Sequence, residues 1–148
     1  MTTIAYKKGF IACDSRITKD NFIVDDSYEK LITKNGVAFF VCGSTSDSGA
    51  LIDAYLLGKY DGNSENIDAV ALVIDKGLLY TCAIHNKEFW RSPTRYDNPI
   101  ALGSGRDFAI AFMDSGMSAE EAVKAACKRD CLSGGEIRVY SVESLLHV

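Results

Sequence analysis

The stretch that decides the fold is the first sixteen residues, MTTIAYKKGFIACDSR, Met1 to Arg16. Apolar residues alternate through Thr2-Ile4-Tyr6, the chain turns at Lys7-Lys8-Gly9, and Phe10-Ile11-Ala12-Cys13 resumes, which predicts a tight β-hairpin. Alternation places Phe10, Ala12 and Asp14 on one face of the second strand. Removal of Met1 would leave Thr2 with a free α-amine beside its own hydroxyl, a base and a nucleophile on one residue. The plain alternative is a hairpin with a polar start. Asp14 is likewise either a turn-former beside Ser15 or an acid held for a purpose.

Working outward, residues 28–33 (YEKLIT) read as the next strand, and Asn35-Gly36 predicts a two-residue turn into VAFFVCG, residues 37–43. Lys30 shares a face with Tyr28 and Ile32; it either snorkels at an edge or is a buried cation paired with an acid, for which Asp14 is the natural partner. The continuously apolar 37–42 run predicts a central strand. After the small polar run 43–48, Leu51, Ile52, Tyr55 and Leu56 form a helical stripe that Gly58 can end. DGNSEN, residues 61–66, is a polar loop. Residues 69–74, 78–84 and 88–91 read as a three-strand meander, 92–99 as a loop, and 100–102 as a short strand. A helix is predicted from Asp107 to Met113. Ser118-Ala119-Glu120-Glu121 has capping-box spacing before a second helix with Ala122, Val123, Ala125 and Ala126 on a small-residue face. Glu136 to Val142 is the last strand.

That order fits an α+β fold, two antiparallel sheets packed together with helices outside: a four-layer αββα sandwich formed by residues 1–148 as a single domain. With 148 residues, 47% hydrophobic and 24% charged, the chain can bury a core of ordinary size. A net charge of −4 without a basic patch argues against nucleic acid as partner. No apolar run approaches ~18 residues, so no membrane span is expected, and the absence of a secretory pattern predicts a cytoplasmic protein. The five cysteines, Cys13, Cys42, Cys82, Cys127 and Cys131, lack paired CxxC spacing and are expected to be free thiols. Cys127 and Cys131 at i,i+4 could share a helix face, but without nearby histidines they make a poor metal site; no metal and no cofactor is expected. His85 and His147 are assigned to a loop and to the tail. The turn Gly103-Ser104-Gly105-Arg106 lacks a full phosphate-binding signature and reads as close packing.

Five segments, taken in order, resemble the proteasome β-type peptidases and the related HslV peptidase, members of the N-terminal nucleophile hydrolases. They are Thr2-Thr3-Ile4; Ala12 to Thr18 (ACDSRIT); Glu29-Lys30-Leu31; Cys42 to Asp47 (CGSTSD); and Gly103-Ser104-Gly105 with Arg129 to Gly135 (RDCLSGG). The resemblance spans nearly the whole chain, and the late Arg-Asp-x-x-Ser-Gly-Gly match is its most specific part. It implies a threonine endopeptidase acting on unfolded polypeptides. Thr2 would be the nucleophile, Lys30 a positive charge beside its oxygen, and Asp14 the holder of Lys30. Gly43 would offer its N–H to the oxyanion, and Ser104, Asp130 and Ser133 would surround the amine. Ile17, Val41 and Thr45 would line a pocket for an apolar side chain, and the backbone at Thr18 and Thr45 would bind an extended peptide. It also implies a homo-oligomeric ring served by an ATPase unfoldase from another chain.

The chain departs from the family in a shorter opening hairpin, in Arg106 where a glycine is usual, and in DGNSEN where a second helix is usual, so one helix of the set is expected to be missing. Two other function classes compete: a non-catalytic proteasome-like assembly or scaffold protein, and an amidohydrolase acting on a small molecule through the same N-terminal chemistry.

Overall fold

A computed structural model describes residues 2–146; Met1 and His147 lie outside the described residues. The opening hairpin forms as expected from β1 (Thr3–Lys7) and β2 (Phe10–Cys13). Lys8 and Gly9 both take positive φ, 49° and 85°, the backbone a two-residue hairpin needs to match strand twist. Between them and the next expected strand lies a second hairpin, β3 (Ile17–Lys19) and β4 (Phe22–Asp25), that the sequence pattern did not reveal. Phe22, Ile23 and Val24 on it are all exposed, so no face alternates with another.

β5 (Leu31–Lys34) and β6 (Val37–Gly43) are joined at Asn35-Gly36, and α1 (Ser48–Leu57) ends at Gly58, whose N–H donates to the Ala54 carbonyl at 2.8 Å. β5 starts one residue after Lys30, later than the sequence suggests. Residues 58–68 contain no helix, and the meander follows as β7 (Ala69–Asp75), β8 (Leu78–His85) and β9 (Glu88–Pro93). β9 runs on to Pro93, which stands opposite Tyr80 on the edge of the sheet, where a missing N–H costs no ladder bond. The chain closes with β10 (Ile100–Gly103), α2 (Arg106–Asp114), α3 (Ala119–Cys127) and β11 (Arg138–Ser141). The capping box of α3 is present: Glu121 N–H donates to Ser118 Oγ, and Ser118 N–H to Glu121 Oε1, both at 3.1 Å. Because α3 ends at Cys127, Cys131 lies beyond it and is exposed, so the two thiols do not share a helix face.

The pairings are antiparallel: β10-β1-β2-β11 in one sheet, β5-β6-β7-β8-β9 in the other. Three separate cores make the layers legible. Ile4, Tyr6, Ile11 and Cys13 of the first sheet meet Ala38, Phe40, Leu72 and Ile74 of the second. The opposite faces bury Phe39, Val41, Ala71 and Val73 under Leu51, Ile52 and Tyr55 of α1, and Ala5 and Ala12 under Ala109, Ala122, Val123 and Ala126 of α2 and α3. Small residues on both sides of that last interface let the helices approach the sheet closely. The result is the αββα sandwich expected, with β1 and β6 in the interior of their sheets.

Phe40 is fully buried between the sheets, its ring edge-on to Tyr140 at 5.3 Å. Phe40→Ala should cost about 3–5 kcal/mol of unfolding free energy, measured by urea denaturation.

Candidate active site

The site grows out of the interior position of β1. Thr3 stands opposite Gly103 on β10, and Asp14, just past β2, donates its N–H to the Thr3 carbonyl at 3.2 Å, so the ends of three adjacent strands surround Thr2. Gly103 is required there: its φ is +95°, and a Cβ on it would collide with the Thr2 carbonyl. From the facing sheet, β6 ends at Gly43, with φ +109° and no room for a Cβ against the Asp68 carbonyl. Thr2 itself is 3% exposed.

On the side-chain face of Thr2 lies Lys30. Its ammonium donates to Thr2 Oγ1 at 2.6 Å and to the Arg16 carbonyl at 2.7 Å, with Asp14 Oδ1 3.8 Å away. The snorkelling alternative for Lys30 and the turn alternative for Asp14 therefore fall: both residues are buried and face each other. Asp14 accepts N–H bonds from Thr3 (3.1 Å), Gly134 (3.0 Å) and Arg16 (3.4 Å). Burial is the largest influence on both groups. It pushes the Asp14 carboxyl up and the Lys30 ammonium down, while their mutual attraction, and for Asp14 the three N–H donors, pull the other way.

On the main-chain side, Asp130 Oδ2 accepts from Ser104 Oγ and from Ser133 Oγ, each at 2.6 Å. Since the Ser133 proton goes to Asp130, Thr3 Oγ1 must donate to Ser133 Oγ at 2.7 Å. Ser104 also reaches the Thr2 carbonyl at 3.4 Å. Burial works to raise the Asp130 carboxyl, but the hydroxyls of Ser104 and Ser133 and the Leu132 N–H outweigh it and hold the group below the usual carboxylate range.

Clefts open on both sides of Thr2. One, about 360 Å³, is bounded by Gly43, Asp68, Ser104 and Arg106; a second, about 240 Å³, by Ile17, Thr18, Gly43 and Thr45; and a small pocket between them includes Ile17, Lys30, Val41 and Thr45. Of the residues singled out in the sequence, Lys30 bonds the Thr2 hydroxyl and Asp14 faces Lys30; Ser104, Asp130 and Ser133 form a hydrogen-bonded group on the main-chain side; and Gly43, Ile17, Thr18, Val41 and Thr45 line the clefts beside Thr2. Another cleft, beside Lys8, Phe10 and Val139, contains none of these residues. Among the described residues, no three His, Cys, Asp or Glu side chains converge as a metal would require.

The described helices include none long and apolar enough to cross a membrane. No family model matches the sequence, and no curated protein matches it. The backbone, in contrast, superposes on solved structures over almost its whole length. Eukaryotic HslV from Trypanosoma brucei aligns with a TM-score of 0.70 at 18% identity, covering 94% of this chain and 97% of that one. The chain shares the αββα sandwich fold of that structure. BPH of Thiobacillus denitrificans aligns at 18% identity over 94% of this chain, with a TM-score of 0.64 and 95% coverage for one structure of it, and 0.63 and 96% for another in complex with epoxomicin. At that identity the likeness is one of fold, and the chemistry must be read from the chain's own residues.

Several residues at the site escaped the sequence reading. Arg16 grips Asp26 through two bonds, Nε–Oδ1 at 2.8 Å and Nη2–Oδ2 at 3.2 Å, and donates to the Cys131 carbonyl at 3.3 Å, tying β4 to the 130–135 loop. Asp68 and Tyr28 line clefts beside Thr2. Only Arg106 carried a signal, as a departure from the resembling family.

Asp130, with its pKa depressed in the folded chain, contributes stability above its unfolded pKa of about 3.9 and loses it as pH falls through the lower folded value. The stability difference between wild type and Asp130→Asn, from urea midpoints at pH 7, 5 and 3, should therefore be constant from pH 7 to 5 and shrink toward pH 3.

Proposed function

We propose that the chain is a threonine peptidase that hydrolyses peptide bonds in unfolded polypeptides after loss of Met1. The observation that carries this reading is the 2.6 Å bond from a buried ammonium to the hydroxyl of Thr2, the residue that removal of Met1 would make N-terminal. A surface threonine in a structural strand has no use for a buried cation on its oxygen, and keeping that cation out of water is costly.

In this mechanism the freed α-amine of Thr2, whose reference pKa of about 7.7–8.0 lies near neutral pH and leaves a minority of it neutral there, takes the Oγ1 proton directly or through a water. Oγ1 attacks the scissile carbonyl carbon. The Gly43 N–H accommodates the oxyanion, a donor of a kind whose loss typically costs about 2.7–4 kcal/mol. The amine passes its proton to the leaving peptide nitrogen, an ester to Thr2 remains, and water hydrolyses it. Lys30, held by Asp14, favours negative charge on Oγ1 and keeps the amine from over-protonating. Asp130, Ser104 and Ser133 orient the amine from the main-chain side. Ile17, Val41 and Thr45 take a substrate side chain, while Thr18 and Thr45 pair with the substrate backbone. The fold's HslV-like neighbours support a cytoplasmic homo-oligomeric ring fed by an ATPase unfoldase.

Intact mass spectrometry with and without an epoxyketone probe tests the reading. A species that has lost Met1 and gained one probe, absent in Thr2→Ala, is the expected result; full-length protein without adduct would leave a non-catalytic scaffold. Lys30→Ala should lower kcat/KM at least ~100-fold, and the wild-type rate should climb with pH through an apparent pKa at or below about 8.

A further inference from the structure

Resting on the peptidase reading, the small pocket beside Thr2 decides which side chain can sit on the acyl side of the cleaved bond. Its walls are Ile17 of β3, Tyr28, Ile32 of β5, Val41 of β6, and Thr45 with Ser48 at the start of α1. Its free volume is about 10 Å³, room for a single water at most. The neighbouring cleft along Thr18 and Ser44 holds about 240 Å³ and is open to solvent. A peptide backbone therefore has a path past Thr2, but a large side chain directed at the pocket has nowhere to go.

Tyr28 is the bulkiest group on those walls, and it is fixed from two directions. Its N–H donates to the Ser15 carbonyl at 3.0 Å, anchoring the main chain to the segment after β2. Its ring centroid lies 6.0 Å from Lys30 Nζ, within reach of a cation–π attraction to the ammonium that bonds Thr2. Swinging the ring out to admit a larger group would give up that contact beside the nucleophile. The expectation of a pocket for an apolar side chain at Ile17, Val41 and Thr45 is thereby narrowed: apolar Ile17, Ile32 and Val41 share the walls with Lys30, Thr45 and Ser48, and little space is left between them.

We infer that Tyr28 is the specificity-determining residue of this site and restricts the substrate to peptides with alanine, glycine or serine on the acyl side of the scissile bond. A methyl group matches the available space; a leucine or phenylalanine side chain does not. Exclusion of a large group by a rigid wall discriminates by overlap, an effect larger than the roughly 10–200-fold that a missing methylene produces in a pocket that already fits.

The test uses protein first labelled at Thr2 by a peptide epoxyketone that carries alanine next to the epoxyketone, to establish that the nucleophile reacts. Three fluorogenic peptides that differ only in having Ala, Leu or Phe before the fluorophore are then compared with unlabelled protein. The wild type should cleave the Ala peptide with kcat/KM at least ~10-fold above the other two. Tyr28→Ala should reverse that order, and Tyr28→Phe, which occupies nearly the same space, should keep it. If Tyr28→Ala does not fold, as judged by circular dichroism, Ile32→Ala widens the same pocket from another wall and should shift the preference toward Leu. An adduct on Thr2 combined with wild-type cleavage after Leu or Phe as fast as after Ala overturns this inference and leaves the peptidase reading standing. A folded Tyr28→Ala with an unchanged order overturns it too. No adduct and no cleavage of any of the three removes both.

Discussion

A lysine and an aspartate buried together at the meeting of two sheets are the constraint to which the rest of the structure answers. Lys30 is 3% exposed and Asp14 is wholly buried; neither can keep its charge there without partners. The partners come from the chain's own backbone: Asp14 draws N–H groups from Thr3, Arg16 and Gly134, and Lys30 draws the carbonyl of Arg16. Meeting those demands pins the start of β1, the end of β2 and the loop before β11 to one point. Among the described residues, every fully buried side-chain nitrogen or oxygen finds a partner, so the polar cluster is closed rather than merely tolerated.

Why the cluster sits where it does follows from the layering. In the middle of the sandwich, Ile4, Phe40 and Leu72 fill the space between the sheets, leaving no volume for a substrate. Only at the ends of the interior strands does the apolar packing stop, and β1 begins on the same side as β6 ends. Glycines at 43 and 103 allow main chains to approach each other there, where a side chain would force them apart. A rigid scaffold thus delivers Thr2, Gly43 and Ser104 to one cleft from two sheets, and positional precision comes from strands rather than from mobile loops.

Much of this was legible from the sequence because the relevant signals were local. Asn35-Gly36 and the Ser118 capping box each depend on a few adjacent residues, and each has its expected form in the structure. The β3–β4 hairpin escaped because Phe22, Ile23 and Val24 are all exposed; a strand with no buried face writes no pattern. Arg16 with Asp26, and the part Tyr28 plays in the wall of the small pocket, escaped for a different reason. Their roles depend on contacts between segments that only the fold brings together, and on how much volume remains after it does so. A family resemblance can announce a side-chain pocket at Val41 and Thr45, but it cannot report how little space is left in it.

The two carboxylates flanking Thr2 differ in a way that bears on its proposed chemistry. Asp14 lies in the dry interior, and burial pushes it toward the neutral acid; Lys30, 3.8 Å away, and the N–H groups of Gly134, Thr3 and Arg16 pull the other way. Asp130 is 9% exposed and collects two hydroxyl donors, so it remains an anion well below neutral pH. It sits one hydroxyl, Ser104, from the Thr2 carbonyl. An amine freed at Thr2 would therefore feel opposed fields: Asp130 would favour its protonated form, and Lys30 its neutral form. A general base serves best with a pKa near the working pH. A cation on the hydroxyl side and an anion on the main-chain side, each held by its own hydrogen bonds, can keep an α-amine in that range without a histidine.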